Sequence, residues 1–150
     1  MRSISLLVHN IRSLWNVGSL FRSSDAFAVA HLYLTGYTAC PPRHEITKTA
    51  LQAETWMPWS YEKDPLTVLA QERKKGSTIV ALEKAKGSID LRSYDAPDRL
   101  LLIVGHEILG VPNTLLQESD AILHIPMHGK KESQNVAVAA GIALNQLRHG

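Results

Sequence analysis

The segment 105–110, with the sequence GHEILG, has the composition of a turn that could hold a ligand. It follows the apolar run 100–104, and a glycine at each end permits positive φ and close approach of a ligand to the backbone. The segment is not GxGxxG and lacks an acidic residue at the dinucleotide spacing downstream, which disfavours a Rossmann site. A plain strand-to-helix turn would explain the same residues, so both interpretations stay open.

The segment 10–22, with the sequence NIRSLWNVGSLFR, places polar residues at the entry to a predicted helix. Asn16 is a good N-cap for a helix that runs to about Phe27, and Arg22 lies about a turn and a half beyond it. A capped helix with one exposed Arg would give the same pattern, so this segment by itself is weak support for a site.

The segment 125–137, with the sequence IPMHGKKESQNVA, has a loop fixed by Pro126 and Gly129, followed by the start of the last helix. We place Ser133 as the cap of that helix. The first turn of a helix presents unpaired N–H groups and the positive end of the helix dipole. Ser133 and Asn135 could serve a ligand there, although capping is the commoner role of both residue types.

The elements that would position these segments alternate along the chain. Strands are predicted at 4–8, 31–34, 77–82, 99–104 and 121–125, and helices at 16–27, 45–54, 65–75, 111–118 and 133–148. This alternation predicts a single α/β domain with a mostly parallel sheet flanked by helices. Ligands bind such sheets at the carboxyl ends of the strands, which are the positions of the segments after 100–104 and 121–125.

Composition and charge limit the classes of protein to which the chain can belong. The chain has 150 residues, 45% hydrophobic and 20% charged, which fits one globular domain. The longest apolar runs, 100–104 and 136–144, fall short of the ~20 residues that span a bilayer, and no signal-peptide cleavage site follows the first apolar run. The single cysteine, Cys40, indicates a cytoplasmic location. A net charge of +2 allows nucleic-acid binding without arguing for it.

Histidines and tryptophans are further candidates for a site. His124 and His128 flank the loop at 126, and His106 could approach them, but no HExxH or Cys/His pairing exists, so we expect no metal. Trp56 and Trp59 could stack nucleic-acid bases, although we favour packing in the core or in a dimer interface.

The three segments together have the order and spacing of the motifs of the SpoU (TrmH-like) branch of the SPOUT methyltransferases, which the chain resembles over essentially its whole length. Motif one is matched by Asn16, Gly18 and Arg22, and motif two, Gly-x-Glu-x-x-Gly, by Gly105, Glu107 and Gly110. Motif three is matched by Ile125, Pro126, Met127, Gly129, Ser133, Asn135 and Ala137. The stretch 48–54 also looks like a family segment. Two positions depart: Gln134 stands where Leu or Met is usual, and His106 where a small residue or Pro is common.

The resemblance implies a fold, a cofactor and a substrate class. Residues 78–150 would form a deep trefoil knot, a rare exception to the rule against threaded chains. The knot loops would hold S-adenosylmethionine, and the chain would transfer its methyl group to a ribose 2′-hydroxyl of RNA, with tRNA favoured over rRNA. By position, the cofactor pocket would be lined by Leu82, Gly105, Gly110, Ile125, Met127, Ser133, Gln134 and Ala137.

The resemblance also assigns catalytic roles. Arg22 would act on the acceptor, and because a guanidinium rarely deprotonates, we favour a clamp on the phosphate and developing oxyanion over a base. Asn16, Glu107, Ser133 and Asn135 would orient Arg22, the ribose or the cofactor. Active sites in the family form at a homodimer interface to which the last helix contributes, so we expect a homodimer.

Three alternatives remain. The chain could methylate a base, as in the related guanine-N1 branch, although Arg22 and the Ser-x-Asn of motif three favour ribose. It could be a non-catalytic RNA-binding protein that retains the knot, although such a protein should have lost Arg22 or Asn135. A nucleotide-binding enzyme of another type would need a Gly-rich phosphate loop, which the sequence lacks. Because the chain starts at its first strand, we expect no N-terminal RNA-binding extension.

Overall fold

The computed structural model describes residues 1–150 and alternates strands with helices. The strands are β1 (Ser3–His9), β2 (Leu32–Thr35), β3 (Trp59–Glu62), β4 (Thr78–Leu82), β5 (Ile89–Asp90), β6 (Arg99–Val104) and β7 (Ala121–His124). The helices are α1 (Leu14–Ala26), α2 (His44–Ala50), α3 (Ala53–Trp56), α4 (Pro65–Lys74), α5 (Asn113–Gln117) and α6 (Val136–His149), with a short 3₁₀ turn at Leu91–Ser93.

All strands belong to one sheet in the order β3-β2-β1-β6-β4-β7-β5, and every neighbouring pair runs parallel. The strand β6 lies between β1 and β4, so that Leu100 is paired with Ile4 on one side and with Thr78 on the other. A parallel sheet is buried on both faces, which explains why the central strands are nearly continuous in apolar residues. The predicted α/β class is confirmed.

Helices cover both faces of this sheet. Side chains alternate along each strand, so Leu6 and Leu102 belong to the larger core, whereas Leu7 and Leu101 belong to the smaller one. The larger core is closed by α1, α2, α3 and α6, and the smaller by α4 and α5. None of the helices combines the length and the apolar character needed to cross a membrane. The trefoil knot implied for 78–150 stays a prediction.

Two of the predicted helix caps are wrong. Ser13, not Asn16, caps α1, and the Ser13 hydroxyl accepts a hydrogen bond from the Asn16 backbone N–H at 3.2 Å. Asn135, not Ser133, caps α6, and its side-chain oxygen accepts from the N–H groups of Ala137 and Val138 at 2.9 and 3.2 Å. Each segment holds more than one good capping residue, and the cap is the one whose oxygen reaches the free N–H groups of the first turn.

The helix predicted for 45–54 is divided into α2 and α3. Leu51 and Gln52 have φ values of 51° and 77°, so the right-handed helix cannot continue through them. Neither residue is a glycine, which left the sequence without a signal for the break. The strands β3 and β5 were not predicted either, because both are short edge strands without an apolar run.

Candidate active site

A cavity of about 140 Å³ opens where β6, β4 and β7, neighbours in the sheet, reach their carboxyl ends. The residues predicted for the cofactor that line it are Leu82, Gly105, Gly110, Ile125, Met127, Ser133 and Gln134. Glu107, predicted as catalytic, lines the same cavity. Ala137 does not line the cavity, because successive residues of a helix point about 100° apart and Val136 takes the position that faces it.

The turn 105–110 closes on itself beside this cavity. The Gly110 N–H donates to the His106 carbonyl oxygen at 2.9 Å. A Cβ on Gly105 would lie 2.6 Å from the Gly110 carbonyl oxygen, and Gly110 itself has a φ of +73°. Close packing of the turn on itself therefore requires both glycines, before any ligand is considered.

His106, the departure from the family pattern in this turn, has a structural function. Its Nδ1 accepts hydrogen bonds from the backbone N–H groups of Ile108 and Leu109 at 3.0 and 2.9 Å. The imidazole must be unprotonated at Nδ1 to accept them. The ring lies edge-to-face against Tyr37, with centroids 6.5 Å apart. His106 therefore fixes the tip of the turn, where Ile108 and Leu109 are exposed.

Glu83 is a residue of the cavity that the sequence analysis missed. It directly follows β4, and its carboxylate accepts from the Val111 N–H at 2.8 Å and from the Lys84 N–H at 3.1 Å. A Cβ on Gly110 would lie 1.9 Å from the Glu83 carboxylate, so this side chain packs directly over that glycine. The only signal in the sequence was an acidic residue at the carboxyl end of a buried strand.

Glu107 joins the cavity to the start of α1. Its carboxylate accepts from the backbone N–H groups of Arg12 and Ser13 at 3.1 and 2.8 Å. Burial raises the pKa of Glu107, but these hydrogen bonds lower it, and its pKa lies below the ordinary value. The carboxylate is thus ionised at neutral pH and engaged by backbone donors, which suits a positioning role better than proton transfer.

A broad groove runs between α1 and α6, next to the cavity. Asn16, Asn135 and Ala137 line it, and the Asn135 side-chain amide donates to the Asn16 side-chain oxygen at 3.1 Å. Ile125 borders both the groove and the cavity, so the two are adjacent. The structure therefore brings motif one and motif three together through a direct side-chain contact.

Arg22 lies outside both the cavity and the groove. It is exposed on α1, and the three ion pairs of the chain all involve other residues. A single chain therefore does not bring Arg22 to the cavity. The two are connected through α1, which carries Arg22 and whose N-cap Ser13 donates to Glu107 of the cavity.

No group of three His, Cys, Asp or Glu side chains is placed to hold a metal ion. The His124 Nδ1 lies 2.8 Å from the Ser88 hydroxyl, a contact that joins β7 to the segment before β5.

The sequence matches the SpoU rRNA Methylase family over residues 3–145. It is 30% identical over 131 residues to a mouse tRNA (guanosine(18)-2′-O)-methyltransferase, a match that covers 86% of this chain and 8% of the relative. It is 29% identical over 144 residues to the tRNA (guanosine(18)-2′-O)-methyltransferase of Aquifex aeolicus, with coverage of 95% of this chain and 67% of the relative. The chain thus spans only a small part of the first relative.

Solved structures of RNA methyltransferases resemble this chain in fold. An S-adenosylmethionine-bound rRNA methyltransferase from Sinorhizobium meliloti superposes with a TM-score of 0.90 at 28% identity, over 97% of this chain and 56% of that one. The TrmH/SpoU tRNA-modifying enzyme of A. aeolicus superposes with a TM-score of 0.88 at 26% identity, over 99% of this chain and 75% of that one. The match of sequence, motifs and fold identifies this chain as a member of the SpoU rRNA Methylase family.

Proposed function

We propose that this chain is an S-adenosylmethionine-dependent methyltransferase that modifies a ribose 2′-hydroxyl of RNA. The observation that carries the proposal is the cavity at the ends of β6, β4 and β7, which gathers nearly all the residues that the family motifs predict for the cofactor. Relatives named as tRNA and 23S rRNA guanosine 2′-O-methyltransferases support the ribose hydroxyl as the acceptor.

The residues of the cavity fit the cofactor. Leu82, Ile125 and Met127 offer an apolar slot for an adenine ring, and the turn 105–110 offers backbone donors and acceptors. Ser133 and Gln134, exposed at the rim, offer polar side chains to the ribose and amino-acid portions. The cavity is smaller than the roughly 300 Å³ of a typical small-molecule site, so the ligand would extend along its open side. When bound, S-adenosylmethionine supplies a methyl group on a sulfonium, ready for transfer.

The chain must then hold and activate the acceptor. A ribose hydroxyl is a weak nucleophile, and stabilising the oxyanion as its proton passes to water lowers the barrier. Arg22 is exposed and free of ion pairs, and its planar guanidinium matches a phosphate or a developing alkoxide. We assign it the acceptor clamp. Asn16, Asn135 and Glu107 position the helix that carries it, and Ser133 lies at the rim where ribose and cofactor would meet.

A homodimer would bring Arg22 of one subunit to the cavity of the other. The groove between α1 and α6 exposes the apolar side chains of Val138 and Ile142 among polar residues, and a second copy could cover it. Burial of the same groove on two copies gives a closed two-fold dimer. In that arrangement α1 of one subunit, with its Arg22, would approach the cavity of its partner.

The proposal extends to the substrate and the location. We infer tRNA ahead of rRNA, and residues 1–150 acting as one catalytic domain in the cytoplasm, where a free thiol such as Cys40 stays reduced.

The test is direct. The purified chain is mixed with S-adenosylmethionine labelled in its methyl group and with tRNA or rRNA in parallel, and calorimetry measures binding of S-adenosylhomocysteine. The proposal requires cofactor binding and transfer of label to one RNA class. Failure to bind either form of the cofactor at millimolar concentration would refute it.

A further inference from the structure

One side of α1 carries an exposed tryptophan and an exposed arginine on the same stripe. Trp15 and Arg22 are seven positions apart, two helical turns, which separates them by roughly 10 Å along the axis. Trp15 is 49% exposed, although large aromatic side chains contribute most when buried. Asp25 continues the stripe three positions further on.

Trp56 stands at the far end of this stripe. Its indole N–H donates to the Asp25 carboxylate at 2.8 Å, while 57% of the residue stays exposed. The hydrogen bond satisfies the only polar atom of the ring and holds the ring in place. A ligand that binds to the ring face therefore causes little further loss of side-chain conformational entropy. Trp59 differs, because it packs edge-to-face on Phe21 with centroids 6.1 Å apart, at the edge of the larger core.

Exposed cations lie beside the stripe, which also carries Asp25. The helix α2 packs closely on Gly18, and the Thr49 hydroxyl donates to the Trp15 carbonyl oxygen at 2.7 Å, which places the exposed Lys48 on the neighbouring helix. Arg12 precedes the stripe and is also exposed. Neither Arg12, Arg22 nor Lys48 takes part in an ion pair.

We propose that Trp15, Arg22 and Trp56 form a stacking surface for unpaired nucleotides of the RNA, an inference that rests on the proposed function. Indole faces stack on any base, and a cation between them can bind the intervening phosphates. Paired RNA hides its base faces inside the helix, so the surface selects single-stranded or looped RNA.

The experiment measures binding of a short labelled oligoribonucleotide by fluorescence anisotropy, with a hairpin of the same length in parallel. Trp15→Ala and Trp56→Ala should each weaken binding of the single strand about tenfold, and Trp15→Phe should restore most of the affinity because a phenyl ring still stacks. Leu66→Ala removes another exposed apolar side chain, on α4, and should leave binding unchanged. Thermal unfolding and sedimentation of every variant report folding and assembly.

The outcomes separate this surface from the proposed function. Single-strand affinity of both alanine variants equal to that of the unaltered chain overturns the surface, and so does loss of binding accompanied by dissociation into monomers. An unaltered chain that binds no RNA overturns it as well. Binding of S-adenosylhomocysteine in the same preparation then shows whether the proposed function still stands.

Discussion

The side-chain amide of Asn135 donates to the side-chain oxygen of Asn16 at 3.1 Å and so joins residues 119 positions apart in the chain. The same Asn135 caps α6 through two backbone N–H groups. One side chain thus fixes the start of α6 and connects it to α1, the helix that carries Arg22.

Substitutions at Asn135 should separate these two functions. Asn135→Ala removes both the cap and the contact with Asn16. It should lower the free energy of unfolding by about 1 kcal/mol and also lower the rate of methyl transfer. Asn135→Asp keeps a capping oxygen and adds a favourable charge at the helix start, but it cannot donate to Asn16. We expect this variant to unfold at the temperature of the unaltered chain and to transfer methyl groups slowly. Full activity of Asn135→Asp would show that the contact with Asn16 has no part in function.

Glu83 should matter for the cofactor although it belongs to none of the three motifs. Glu83→Ala leaves the Val111 N–H without its acceptor and frees the end of the turn 105–110. We expect the dissociation constant of S-adenosylhomocysteine to rise about tenfold, the equivalent of ~1.4 kcal/mol. The control is Glu118→Ala, an exposed carboxylate at the end of α5. If both variants bind S-adenosylhomocysteine with equal affinity in calorimetry, Glu83 does not support the cofactor cavity.

Cofactor affinity should decline only in acid. The folded chain lowers the pKa of Glu107. The hydrogen bonds from Arg12 and Ser13 are therefore fully present above the ordinary carboxyl pKa of about 4.3, and they are lost as the pH falls through the lowered pKa of Glu107. Affinity measured by calorimetry should therefore stay level from about pH 8 to about pH 5. Glu107→Gln should bind more weakly throughout that range. A decline that begins near neutral pH would contradict this account.

The contact between α1 and α2 should not tolerate a methyl group. A Cβ on Gly18 would lie 1.9 Å from the Thr49 hydroxyl and 2.4 Å from the Ile46 carbonyl oxygen. Gly18→Ala should therefore lower the free energy of unfolding by about 1–3 kcal/mol. Gly129→Ala, where a Cβ meets no atom within 4 Å, is the control. Equal denaturant midpoints for the two variants would contradict the close packing.

The sequence predicted the buried centre of this fold better than its edges. The bounds of β6 are those predicted, because six consecutive residues of high apolar content mark a strand buried on both faces. The edge strands β3 and β5 have no such pattern, and their residues become strands only through pairing with β2 and β7. The break at Leu51 depends on a left-handed backbone that tertiary packing imposes on residue types that rarely adopt it.

The site was predicted where the motifs are dense and missed where a single residue acts at a distance. Most of the cavity residues lie in segments that follow strands, so their position at the carboxyl ends of a parallel sheet could be predicted from the alternation of strands and helices. Glu83 accepts from the Val111 N–H just after the turn 105–110, and His106 accepts from N–H groups within the turn. A sequence does not show which carboxylate or imidazole reaches such groups. The position of Arg22 outside the cavity could not be predicted either, because it depends on how α1 packs on the larger core.

The chemical position of the transferred methyl group tests the central claim most directly. RNA labelled by the chain is hydrolysed in alkali, which cleaves only where a free 2′-hydroxyl can attack the neighbouring phosphate. A ribose 2′-O-methyltransferase leaves its label in alkali-resistant dinucleotides, and Arg22→Ala should abolish that label while binding S-adenosylhomocysteine as tightly as the unaltered chain. Label in ordinary mononucleotides would identify a base methyltransferase, and undiminished labelling by Arg22→Ala would contradict the proposed acceptor clamp.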